Sequence, residues 1–182
     1  MYLFHNTDEK SLKLILKDGY IKSASILKKE NEKITLGEGF GIYDNNKFIY
    51  FSCVDKLFSR KIYASVILYF NSELLYNKSF YVSTVHSGSP EYLAEWTIDN
   101  KKEYKRYYKR FNKNYNSILQ KLFNNSITKL PKGDTFQAFQ QIAILNKINL
   151  KYLVAIEFTH KPKTHLLNFL NNFFPEILIK IN

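Results

Sequence analysis

The sequence predicts an α+β fold with a mainly antiparallel sheet. Three observations lead there: long apolar and aromatic runs of strand length, few stretches of helical periodicity, and hairpin-like spacing between the runs. No internal repeat or interdomain linker is visible, so residues 1–182 are read as a single domain.

The elements follow in order. Tyr2 to Phe4 reads as a short strand with His5 at its end. Thr7 is placed to cap a helix whose apolar face is Leu12, Ile15 and Leu16, and Gly19 stops that helix. Residues 24–34 are polar and lysine-rich, as in a surface loop, and Gly37, Gly39 and Gly41 mark a flexible turn. Lys47 to Cys53 reads as a strand buried on both faces, followed by a short helix over 54–60. Further strands are expected over Ile62–Phe70 and Ser79–Val85. Ser89-Pro90-Glu91 opens a helix. Tyr104, Tyr107, Tyr108, Phe111, Tyr115, Ile118, Leu119 and Leu122 then share one helical face, which predicts an amphipathic helix to about Phe123. Ile142–Leu145, a tight turn at Asn146-Lys147, and Ile148–Phe158 read as strand, turn and strand. His165–Asn172 suits a helix, Pro175 breaks it, and Ile177–Ile181 suits a last edge strand.

Composition narrows the setting. A chain of 182 residues buries roughly 70% of its unfolded surface. It therefore needs no disulfide, and its single cysteine, Cys53, forms none within the chain. A reducing, cytoplasmic setting is the natural expectation. No apolar run has the ~20 residues a membrane span needs, and no signal-peptide pattern opens the chain. Four histidines and one cysteine give no metal-ligand spacing. The net charge of +11 is uneven: residues 101–113 hold seven Lys or Arg and one acid. That concentration fits a polyanionic partner, and equally a solvated helix face.

Three motifs stand in a telling order: His5-Asn6-Thr7 before the first helix, Tyr50-Phe51-Ser52 in a strand, and Gln141 ahead of Ile142–Leu145 and Ile148-Asn149-Leu150-Lys151-Tyr152-Leu153. The order and wording resemble the ADP-ribosyltransferase-like superfamily, poly(ADP-ribose) polymerases and DarT-like DNA transferases included. The resemblance spans most of the chain. It implies a split, mainly antiparallel sheet flanked by helices, and a reaction of NAD with a macromolecular acceptor. His5 would hold a ribose, Tyr50 would pack on the nicotinamide with Tyr63 or Phe58 beyond it, and Asn6, Thr7 and Ser52 would line the NAD site.

The loop before the third motif, with Phe136 and Phe139, would choose the acceptor. Lys105, Arg106, Lys109 and Arg110 would hold DNA or RNA, the favoured acceptor; a protein acceptor stays open, and no membrane partner is expected. The departure is Gln141, where the family carries glutamate. A glutamine can hydrogen-bond a ribose hydroxyl but carries no charge, and a lost base costs ~10²–10⁴ in rate. The alternatives are a weak or specialised transferase, a carboxylate from elsewhere, with Glu38, Glu91, Glu95 and Asp134 as candidates, or an inactive module that binds NAD, ADP-ribose or nucleic acid.

Overall fold

The structure is a computed structural model that describes residues 2–30, 47–54, 56–59, 64–75, 80–83, 108–111 and 141–182, with backbone alone at 81–83, 108–111 and 141. The described residues fall into two compact units, each with its own strands.

The first unit comprises 1–21, 54–74 and 149–182. Its sheet holds β1 (Tyr2–Thr7), β4 (Val66–Asn71), β9 (Leu153–Phe158) and β10 (Leu178–Ile181). β1 and β9 flank β4, both antiparallel to it, and β10 lies parallel to β9. Every residue of β4 from Val66 to Phe70 is buried, as expected of a central strand with an unbroken apolar run. One side of this sheet carries a cluster of Phe4, Val54, Ile67, Tyr69 and Ala155, with Leu57 and Phe58 packed on it. α1 (Glu9–Asp18) buries Leu12 and Leu16, and α3 (Thr164–Phe173) buries Leu166 and Leu170.

The second unit comprises 22–53 and 75–148. It contains α2 (Ala24–Lys29), β3 (Phe48–Val54, whose last residue belongs to the first unit), β5 (Phe80–Ser83), β6 (Tyr108–Phe111) and β7 (Gln141–Leu145). The strands run in the order β3-β7-β5-β6, all antiparallel. Phe51 and Ile142 face each other across β3 and β7, and both are buried. Two short strands, β2 (Tyr20–Lys22) and β8 (Lys147–Asn149), complete the set.

Several expectations need correction. The 24–34 loop contains α2: the Ser23 carbonyl accepts from the amides of Ile26 and Leu27, and Lys22 pairs with Glu30 at 2.6 Å. The helix expected over 54–60 is absent from its described part. There Phe58 sits in the left-handed region at φ 60°, and Ser59 Oγ donates to the Lys56 carbonyl. The strand expected from 62 begins only at Val66, residues 62–63 lying outside the described residues.

The long strand over 148–158 is cut by a 3-10 turn at Leu150–Tyr152. Asn149 accepts the Lys151 amide on its side chain, and Leu150 donates its amide to the Gly19 carbonyl. β7 pairs with β3 and β5, and β9 with β4 and β10. Finally, Tyr108–Phe111 is a strand where a helix was expected. Pairing with β5 overrides a helical periodicity built from residues that also favour strands. The rest of that expected helix, the glycine turn at 37–41 and the helix start at Ser89 lie outside the described residues.

Candidate functional site

His5 is an interior residue of β1, not its last. It pairs with Leu68, and the ladder continues through Asn6–Ile67 to Thr7–Val66. Because Thr7 is still strand, it does not cap the helix. Asp8 does, in extended backbone at φ −122°, accepting from the Ser11 amide at 2.8 Å on Oδ1 and from the Ser11 hydroxyl at 3.0 Å on Oδ2. The opposite end of α1 closes on Gly19 at φ 70°, as its sequence position predicts. His5 and Thr7 are half-buried and Asn6 exposed. The expected ligand segment is thus fixed by a strand ladder behind it and a capped helix ahead of it.

In the second unit, Tyr50 faces Ala143 across β3 and β7. Gln141 opens β7 two positions earlier, so its expected place at the head of that strand is observed. Tyr50 is half-buried, with its hydroxyl oxygen shielded from solvent and its ring 6.3 Å from that of Phe48. Ser52 is half-buried in the same strand.

The backbone register also aligns Gln141 with Ser83 of β5, and Ser83 with Tyr108 of β6. Lys109 and Arg110 follow in β6, two strands from β7, a separation of about 10 Å between strand axes. The sheet therefore brings these two basic positions and position 141 into one small ladder. Tyr63, Lys105, Arg106, Phe136 and Phe139 lie outside the described residues, as do Glu38, Glu91, Glu95 and Asp134.

One carboxylate escaped the sequence reading. Glu157 is fully buried in β9. Its Oε2 accepts from the Tyr69 hydroxyl at 2.6 Å, and its Oε1 accepts from Lys180 Nζ at 2.8 Å and Asn182 Nδ2 at 3.0 Å. Burial pushes its pKa up, but the hydrogen bonds from Lys180, Tyr69 and Asn182, with the Lys180 charge, outweigh that and hold it below the ordinary value.

Glu157 does not share a face of the sheet with His5. The ladders align Asn6, Ile67, Glu157 and Lys180 in one row, and His5, Leu68, Ile156 and Ile179 in the next. Neighbouring rows point to opposite faces of a sheet, so Glu157 and His5 look away from each other. Phe58 is likewise engaged on the Glu157 side, edge-on to Tyr69 at 5.4 Å and beneath Lys180 Nζ at 5.5 Å. The signal for Glu157 was present in the sequence: a single acid inside the otherwise apolar run Leu153–Phe158. Among the described residues no group of His, Cys, Asp and Glu is arranged to hold a metal ion. Nor is any described helix long and apolar enough to cross a membrane.

An α+β chain built on these strands has the fold of the ADP-ribosyltransferases, in its DarT-like form. DarT from Thermus sp. 2.9 in complex with carba-NAD+ superposes with a TM-score of 0.60 at 11% identity, covering 100% of this chain and 95% of that one. The same DarT in complex with ADP-ribosylated ssDNA gives a TM-score of 0.57 at 12% identity, covering 100% and 93%. Thermosipho africanus DarTG in complex with ADP-ribose gives 0.57 at 9% identity, covering 99% of this chain and 49% of that longer one. No family model matches the sequence, and no curated protein matches it by sequence.

Proposed function

We propose that the protein is an NAD-dependent ADP-ribosyltransferase with nucleic acid as its acceptor. The observation that carries this reading is the likeness, over 100% of the chain, to a DarT solved with NAD+. The complex of that DarT with ADP-ribosylated ssDNA favours a nucleic-acid acceptor over a protein. In this reading His5 hydrogen-bonds a ribose of NAD, Tyr50 packs against the nicotinamide, and Asn6, Thr7, Ser52 and Tyr63 complete the NAD site. The bond between nicotinamide and ribose breaks with its electron pair leaving on nicotinamide. The acceptor attacks the cationic ribose carbon and releases its proton to solvent. Lys105, Arg106, Lys109, Arg110, Phe136 and Phe139 hold the acceptor.

Gln141 favours a second reading, in which the domain binds NAD or ADP-ribose and turns it over weakly or not at all. Adenylate-labelled NAD incubated with DNA, with RNA and with cell lysate separates the two. Label transferred to one acceptor, with nicotinamide released and both lost in His5→Ala, supports the transferase. Binding without release supports the second reading, and neither binding nor release removes both.

A further inference from the structure

α1 carries a stripe of lysine on the side away from the core. Lys10, Lys13 and Lys17 are exposed, and Leu14, 41% exposed, stands among them. Spacings of three, four and seven put these four side chains on one face, across the helix from buried Leu12 and Leu16. Among the described residues no carboxylate lies within ion-pair distance of the three ammonium groups. Glu9 and Asp18, the acids of the same helix, flank the stripe rather than interrupt it. The stripe begins just after the Asp8 cap, close in sequence to His5, and runs for roughly 10 Å.

We propose that this face of α1 is a track for the phosphate backbone of single-stranded nucleic acid. The inference rests on the transferase reading and adds where the acceptor strand lies. Charge complementarity carries it: unpaired ammonium groups in a row suit a repeating anion, and lysine meets phosphate as a point charge without a fork geometry. The stripe holds no Arg, Asn, Gln or aromatic side chain to read base edges, so the binding is independent of sequence. Exposed Leu14 offers apolar surface to the sugars between the phosphates.

The test is fluorescence anisotropy of a labelled single-stranded DNA across a salt series, without NAD. The wild-type protein binds with a falling log K against log salt. Lys10→Gln, Lys13→Gln and Lys17→Gln together remove about 2 from the magnitude of that slope, at ~0.7 for each phosphate no longer neutralised. Glutamine keeps the helix propensity, so the fold survives, and circular dichroism checks it. Lys28→Gln with Lys29→Gln, on the exposed end of α2, leaves the slope unchanged. The proposal is overturned by no binding in low salt, by equal slopes for the wild type and the triple variant, or by an equal reduction in the α2 variant. Displacement of the strand by polyglutamate at equal charge also overturns it, in favour of an acidic protein. A parallel calorimetric titration with NAD judges the transferase reading separately: a wild type that binds the strand and not NAD keeps the track and loses that reading.

Discussion

The hydroxyl of Tyr69 donates to the carboxylate of Glu157 at 2.6 Å, and neither residue is exposed to solvent. Two strands are joined there by a charged group, and Lys180 and Asn182 bring in a third. A buried carboxylate is tolerated only when paired and hydrogen-bonded, and this one has three donors, one of them the Lys180 cation. Removing its counter-charge should therefore cost more than removing an ordinary surface lysine. We predict that Lys180→Met lowers stability by about 2 kcal/mol, the lysine side chain being part-exposed and partly screened by solvent. Urea unfolding should show a lower midpoint at an unchanged m-value. Lys161→Met, an exposed control, should stay within about 0.5 kcal/mol of wild type.

The same carboxylate sets an acid limit. Its folded pKa is held below the ordinary 4.5, so the folded state binds its proton less readily than the unfolded chain. The stabilisation is complete above pH 4.5 and is lost as pH falls below it through the folded value. Glu157→Gln should flatten stability against pH in that acid window and leave the slope above it unchanged. Equal acid slopes for the two proteins would remove Glu157 from the account.

The start of α1 separates two candidate caps. Asp8→Ala should cost ~1 kcal/mol by freeing the Ser11 amide. Thr7→Ala should leave the cap intact, since Thr7 belongs to the β1 ladder. Thermal melts of both variants decide between them.

Gly19 tests backbone conformation alone. A Cβ there meets nothing within 4 Å, so any cost of Gly19→Ala comes from φ 70°. We predict a loss of about 1 kcal/mol, with Gly19→Asn milder because asparagine tolerates the left-handed region. Denaturant midpoints of the pair measure it.

Gln141→Glu tests what the strand position means. If position 141 serves the ribose, restoring a carboxylate at the head of β7 should raise nicotinamide release by ~10²-fold or more. No gain, with NAD binding intact, would assign residue 141 to the sheet alone.

The local pieces were legible in the amino-acid order alone. Apolar runs, a left-handed glycine and a proline break located β1, α1, β3, β7, α3 and β10 within a few residues, because those signals are carried by neighbours in the chain. The order of His5, Tyr50 and Gln141 was equally legible, since it is a matter of wording.

Strand pairing was not legible in the same way. Periodicity states which face a residue takes and not which strand it meets, so the strand, turn and strand read over 142–158 did not say that β7 meets β3 and β5 while β9 meets β4 and β10. Tyr108–Phe111 reads as helix and is strand because β5 offers it an edge. Glu157 illustrates the same limit. Its charge in an apolar run is visible, but its donors lie 88, 23 and 25 residues away, and only folding brings them within hydrogen-bond distance.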